Sequence, residues 1–131
     1  MSALPDKVKT MLQKPVLVHF ATLMEDGSPH VAPVWVDVDG DTILINSAVG
    51  RLKDKNVRAN PSVSLSATDP DNPYHSFTIR GRVKEITLNG AEEHIDKMAK
   101  KYMGKDVYPA HSAKEPRVIY KIEADKISVM G

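Results

Sequence analysis

Six stretches of this chain read as strands, one from a short run apolar on both faces and the others from period-two alternation, and that leaves room for little except a β-rich single domain. In residues 16–23 both faces are largely apolar, with Val16, Val18 and Phe20 on one and Leu17, Ala21 and Leu23 on the other, which predicts a central buried strand. His19 sits inside that run and reads as a satisfied strand residue. After the turn Glu25-Asp26-Gly27-Ser28, alternation resumes over 30–38, where Pro33 cannot donate to a ladder and so places the strand at an edge or a bulge. Asp39-Gly40 is a two-residue hairpin signal, and 41–46 is the returning strand. Val63, Leu65 and Ala67 mark a fourth strand, followed by a rigid loop at Asp69-Pro70-Asp71-Asn72-Pro73. The fifth, 75–87, turns Phe77, Ile79 and Val83 inward and Arg80, Arg82 and Lys84 outward, with Gly81 as a bulge. The sixth runs over 117–130.

Helical spacing appears in three places. Leu4, Val8, Met11 and Leu12 predict a short helix over 4–13 that Pro15 stops. A basic helix follows the third strand and ends at Asn60-Pro61. Ala91, Ile95, Met98, Ala99 and Tyr102 form one apolar stripe between a capping-box-like start at Asn89 and a close at Gly104, so Met98 and Tyr102 read as core. The expected fold is mainly β with helices, an α+β domain over 1–131 whose six antiparallel strands curl toward a barrel.

Composition narrows the function classes. Eighteen basic against 17 acidic side chains give no global field to attract nucleic acid or an anionic membrane. With no cysteine, thiol catalysis, disulfides and thiolate metal sites are excluded, so any redox chemistry must be borrowed from a cofactor. His19, His30, His75, His94 and His111 show no ligand-type spacing, and no metal site is expected. No G-x-G-x-x-G fingerprint is present. The first residues are polar and no stretch approaches the roughly 20 apolar residues of a membrane span, which points to a cytoplasmic protein.

Charge is nevertheless local. From Asn46 to Pro61 a strand end, a small-residue turn and a basic helix start follow one another, with four cations between Arg51 and Arg58 against the single acid Asp54. Such a run is ordinarily a solvated helix face. The turn in front of it argues for an anion instead, because N–H groups at a helix start have no internal partner and carry the positive end of the dipole. Basic residues without interleaved aromatics offer no stacking platform for nucleic-acid bases.

Four motifs then fall in register: Asp26-Gly27-Ser28-Pro29-His30-Val31, Pro33-Val34-Trp35-Val36, Gly50-Arg51-Leu52-Lys53-x-Lys55-Asn56 and Ile79-Arg80-Gly81-Arg82-Val83. Together they resemble the pyridoxamine-phosphate-oxidase-like split-barrel flavoproteins. The segments His94-Ile95-Asp96, Lys101-Tyr102-x-Gly104-Lys105 and Arg117-Val118-Ile119-Tyr120-x-Ile122 are most similar to that superfamily's deazaflavin-dependent branch. The resemblance implies a six-stranded split barrel that forms a homodimer, with a cofactor in each interface groove. It implies a phosphate at Arg51, Lys53 and Asn56, and a ring system along Val34, Trp35, Asn46, Ser47 and Ala48, with Tyr74 joining the cofactor-binding set. By itself, Trp35 suits a cofactor wall or ordinary packing equally well. The implied cofactor is the deazaflavin coenzyme F420, or FMN.

By the same resemblance the expected activity is an oxidoreductase that moves a hydride between this cofactor and a small unsaturated or aromatic substrate. The alternative is a module of the same fold that binds a flavin or haem-like ligand without turnover. Members that oxidise pyridoxamine phosphate carry a further C-terminal strand with an arginine motif, whereas this sequence ends at Ser128-Val129-Met130-Gly131, so that particular activity is not expected. Proton donors, if side chains serve, are Tyr74, His75, Tyr102 or Tyr108.

Overall fold

The computed structural model describes residues 2–131. In chain order they form α1 (Asp6–Gln13), β1 (Val18–Leu23), β2 (Pro29–Val34), β3 (Asp37–Asp39), β4 (Thr42–Ala48), α2 (Leu52–Ala59), β5 (Ser62–Asp69), β6 (Asn72–Thr87), α3 (Ala91–Met103) and β7 (Arg117–Met130). All seven strands belong to one sheet in the order β2-β1-β5-β6-β7-β4-β3, and every neighbouring pair is antiparallel.

That order fixes the shape. β2 and β3 are opposite edges of the sheet, yet only Trp35 and Val36 connect them. Three Cα steps cover at most about 11 Å, whereas seven strands laid flat would hold their edges roughly 29 Å apart. The sheet must therefore curl until its edges nearly meet. They do not pair with each other, so the barrel is split rather than closed.

The expected single strand over 30–38 is thus two strands on two edges, and the sheet has seven strands instead of six. The reason lies in α3. Its last turn takes up the backbone groups that the break frees: the Tyr102 hydroxyl accepts from the Val36 N–H at 2.9 Å and donates to the Val16 carbonyl at 2.6 Å, while Lys101 Nζ donates to the carbonyls of Val36 (2.7 Å) and Leu12 (2.6 Å). With side chains satisfying these groups, Val36 needs no strand partner.

Val18, Phe20, Ile43, Ile45, Leu65, Phe77, Ile79, Tyr120 and Ile122 fill the barrel, and α1 closes one end with Val8, Met11 and Leu12. β1 is interior to the sheet, between β2 and β5, but only one of its faces is covered. Leu17 is 54 % exposed and His19 also faces out, so the buried central strand expected there is half open in the single chain. Pro33 lies on edge strand β2, where it costs no ladder bond. At Gly81 the β6–β7 register shifts, and a Cβ would collide with the Glu123 carbonyl, which explains a glycine in mid-strand.

Two further expectations change in detail. β6 begins at Asn72 rather than beyond Pro73, because Asp69 Oδ1 accepts from the Asp71 N–H at 2.9 Å and tightens the preceding turn. No capping box forms at α3. Gly90 occupies the cap position without a side-chain bond, and the Asn89 N–H donates to Thr87 Oγ1 instead.

Candidate functional site

The turn between β4 and α2 is held by a carboxylate that reaches backwards. Asp54, 2 % exposed, accepts from the Gly50 N–H (2.9 Å) and Arg58 Nε (3.0 Å) on one oxygen and from the Tyr120 hydroxyl (2.8 Å) on the other. Gly50 sits at φ +91°, a conformation that side chains with a Cβ rarely adopt. Together they pin the start of α2 and leave its first N–H groups uncapped, since Arg51 at the cap position offers no side-chain bond. Asp54 thus spends its hydrogen bonds on Gly50, Arg58 and Tyr120 and forms none with the cations at the helix start.

In front of that helix start lies a cleft of about 230 Å³ lined by Leu17, Pro33, Val34, Trp35, Asn46, Arg51, Lys53, Ile95, Tyr108 and Arg117. Its chemistry divides in two. One end is cationic, with Arg51 and Lys53 from α2 joined by Arg117 from the start of β7. The other is aromatic and apolar: Trp35 stacks on Tyr102 at 5.0 Å between centroids and meets the edge of Tyr108 at 6.2 Å.

Lys53 and Arg117 carry the electrostatic signature of the cleft. Burial, then the neighbouring charges of Arg51 and Arg117, lower the Lys53 pKa, and among the described residues Lys53 forms no ion pair. Arg117, 5 % exposed, is likewise shifted down, first by burial. Its Nε donates to Asn46 Oδ1 at 2.8 Å and its guanidinium lies 5.2 Å from the Tyr108 ring centre, while its terminal nitrogens have no hydrogen-bond partner among the described residues. Partly buried cations without an ion pair of their own, as Lys53 and Arg117 are among the described residues, are costly to hold, and an anion placed between them relieves that cost.

Behind the cleft a polar chain orients Arg117. Because its Nε can only donate, Asn46 must present its oxygen there, and the Asn46 amide then donates to the Ala91 carbonyl (2.9 Å) and to His94 Nδ1 (3.1 Å). His94 is left with its proton on Nε2, which donates to Asp37 Oδ2 at 3.0 Å. Burial opposes ionisation of Asp37, but the bonds from His94 and the Val38 N–H, with the Lys97 charge, prevail and hold its pKa at about 2.

The structure gathers five of the nine residues expected at the site, Val34, Trp35, Asn46, Arg51 and Lys53, around this cleft. Ser47 and Ala48 are fully buried and line no part of the cleft: Ser47 shares the barrel-facing side of β4 with Ile43 and Ile45, and Ala48 shares the side of Asn46 at the entry to the turn. Asn56 is not part of the lining either: its amide donates to Thr22 Oγ1 (3.0 Å) and approaches Met24 Sδ. Tyr74 is 81 % exposed on the β5–β6 hairpin and outside the cleft of its own chain. Tyr102 spends its hydroxyl on backbone partners, and burial pushes its pKa up to about 12.

Arg117 is the residue that pattern reading overlooked. A signal was available: it is a cation opening an apolar strand, and antiparallel pairing of β4 with β7 sets it opposite Ala48, at the entry to the anion-type turn. Leu17, Pro33 and Ile95 were hidden because strand and helix alternation cannot say which faces meet across a split. Among the described residues no group of three histidine or acidic side chains could hold a metal, and no helix is long and apolar enough to cross a membrane.

These features define a split β-barrel with a cation-lined cleft at the start of α2. The chain belongs to the pyridoxamine 5'-phosphate oxidase family, whose description matches residues 4–131. It is similar to a solved F420 reductase at 30 % identity, with 95 % of this chain and 98 % of that one covered and a TM-score of 0.85. A putative pyridoxamine 5'-phosphate oxidase from Listeria innocua (23 % identity, 95 % of each chain, TM-score 0.72) and the HupZ protein of Group A Streptococcus (20 %, 96 % and 98 %, TM-score 0.68) share the fold. No curated protein matches the sequence significantly.

Proposed function

We propose that the cleft binds the anionic arm of coenzyme F420, with FMN as the second candidate, and that the protein is an oxidoreductase passing a hydride between that cofactor and a small unsaturated or aromatic compound. The observation that carries this is the convergence of Arg51, Lys53 and Arg117 beside an aromatic wall, with the exposed Glu115 on Arg51 as the only carboxylate ion-paired to any of the three among the described residues. The donor set fits the group: a phosphate or carboxylate would meet the uncapped N–H groups of α2, the Lys53 ammonium and the terminal nitrogens of Arg117. The 30 % identity to a protein described as an F420 reductase favours the deazaflavin over FMN.

The same reading calls for a homodimer. At about 230 Å³ the cleft falls short of the roughly 300–1,000 Å³ of sites that enclose a ligand of drug size. The outer face of β1 and β2 beside it, with Leu17 and Val31 exposed, is where a second copy would complete the enclosure, and Tyr74 could then reach a groove from the partner.

The cofactor supplies the hydride chemistry, and the chain supplies binding and orientation. No carboxylate or histidine lines the cleft, so a proton reaches the product from water or from the Tyr108 hydroxyl. Fluorescence titration with F420 and with FMN tests the reading. Lys53→Ala and Arg117→Gln should each weaken the better ligand by about 1.5–3 kcal/mol, the range for a hydrogen bond to a charged group. Equal binding by wild type and both variants would remove the cationic end from the site.

A further inference from the structure

Residues 104–116 cross from the end of α3 to the start of β7 without regular structure, and they carry Tyr108 into the cleft wall. Two carboxylates on the first turns of α3 hold this segment, and each grips two partners. Asp96 Oδ1 accepts from the Tyr108 N–H (2.8 Å) and from His111 Nε2 (2.6 Å), while Glu92 accepts from His111 Nδ1 (2.9 Å) on one oxygen and from the Arg117 N–H (2.6 Å) on the other. His111 therefore stands between Glu92 and Asp96 with both ring nitrogens facing carboxylate oxygens. Only the imidazolium can donate to both.

We propose that residues 104–116 form a strap over the cleft whose closure is set by the protonation of His111. Loss of one proton leaves a lone pair facing either Glu92 or Asp96, and that contact turns from attraction to repulsion. The consequence runs straight to the cleft, because the His111 ring packs edge-on against Tyr108 at 5.6 Å, and Tyr108 in turn meets Trp35 and the Arg117 guanidinium. The groups that face His111 are Glu92 and Asp96 on α3 and Tyr108 on the strap; Arg117 on β7 touches it only through Glu92 and Tyr108. At the far end of the strap a separate ion pair, Glu115 to Arg51 Nε at 3.0 Å, does not involve His111. The bonds to Asp96 and then Glu92 raise the His111 pKa above its ordinary 6.5. Its pairing is therefore complete below pH 6.5 and is lost as pH rises through that raised value.

What the strap covers rests on the cofactor reading; whether it opens does not. Trp35 is the only tryptophan in the chain and sits in the cleft between Tyr102 and Tyr108, so its fluorescence reports the strap in protein without ligand. Acrylamide quenching of Trp35 should rise roughly two- to five-fold through a transition above pH 6.5, the range for one partly exposed ion pair. His111→Gln should abolish the transition and be quenched at every pH as strongly as wild type at high pH. A transition that survives in His111→Gln would overturn the proposal, and its loss in Lys101→Met would assign it to the Lys101 ammonium that holds the Leu12 and Val36 carbonyls; flat wild-type quenching would overturn the proposal as well. If His111→Gln does not fold, the His111 Cε1–H signal of the wild type decides: it must titrate with the same midpoint as Trp35, and a different midpoint overturns the inference. Because no cofactor enters the measurement, failure here leaves the proposed function standing.

Discussion

Asn46 Oδ1 accepts a 2.8 Å bond from Arg117 Nε across 71 positions of sequence, and this one contact decides the state of three other groups. Arg117 can only donate, so the Asn46 amide must donate onward, His94 must accept at Nδ1, and Asp37 must be the ionised acceptor at the end. The floor of the cleft is thus wired to the β3 edge of the split, with no freedom to reverse any link.

Replacing Asn46 by Leu should break this chain at its centre. Arg117 Nε, the Ala91 carbonyl and His94 Nδ1 would all lose their partner, and each buried unsatisfied group costs about 1–3 kcal/mol. Urea unfolding should show a loss of at least the cost of one such group, together with weaker cofactor binding because Arg117 is no longer aimed. A stable variant with intact binding would show that the chain is ornamental.

The other end of the chain makes a prediction about acid. Asp37 has its pKa depressed from 3.8 to about 2, and its side chain is 13 % exposed. A carboxylate shifted this way stabilises the fold above pH 3.8, and the benefit disappears as pH falls through about 2. It amounts to about 2 kcal/mol for a shift of this size. Asp37→Asn should therefore lower stability at neutral pH and flatten the decline between pH 4 and pH 2, as followed by circular dichroism.

Lys53 should show the opposite signs for stability and binding. Its ammonium is partly buried beside two other cations and forms no ion pair of its own among the described residues, so Lys53→Met removes a strained charge while keeping the side-chain volume. Thermal unfolding of the unliganded variant should rise, by about 1 kcal/mol in stability, while its cofactor affinity falls. A drop in both would mean that Lys53 is held by partners other than a ligand.

Glu115 competes for the same ground. It pairs with Arg51 at 3.0 Å, and both side chains are about half exposed. Glu115→Gln should change stability by less than about 0.5 kcal/mol, as exposed pairs do, yet release Arg51 for an incoming anion. Titration should find tighter binding of phosphate-bearing ligands, most clearly at low salt where screening is weakest.

Much of this arrangement was legible in the sequence, and the exceptions have physical causes. Period-two alternation located the strands because most of them bury one face, and the glycine turn before a basic helix located the cation-lined end of the cleft because both features are local. What alternation cannot convey is continuity: Val34, Trp35, Val36 and Asp37 keep the pattern of one strand while crossing between two sheet edges, and the reason is supplied by Lys101 and Tyr102, more than 60 positions away. Asn56 was drawn to the site by its neighbours in sequence. Three helical steps bring Asn56 back to within about 60° of Lys53, so spacing alone sets both on one side; what separates them is a partner that sequence does not show, since the Asn56 amide is spent on Thr22 Oγ1.

The break between β2 and β3 offers the last test. The Tyr102 hydroxyl is the shared partner of the Val36 N–H and the Val16 carbonyl, and Tyr102→Phe removes it while keeping the ring that stacks on Trp35. Two backbone groups would then be left without their partner, at about 1–3 kcal/mol for each that stays dry. Hydrogen exchange resolves the outcome residue by residue. The Val36 amide should lose protection far more than the amides of β1, β5 and β6, whose ladders are untouched. If Val36 remains as protected as those strands, the split is held by the sheet itself and not by α3.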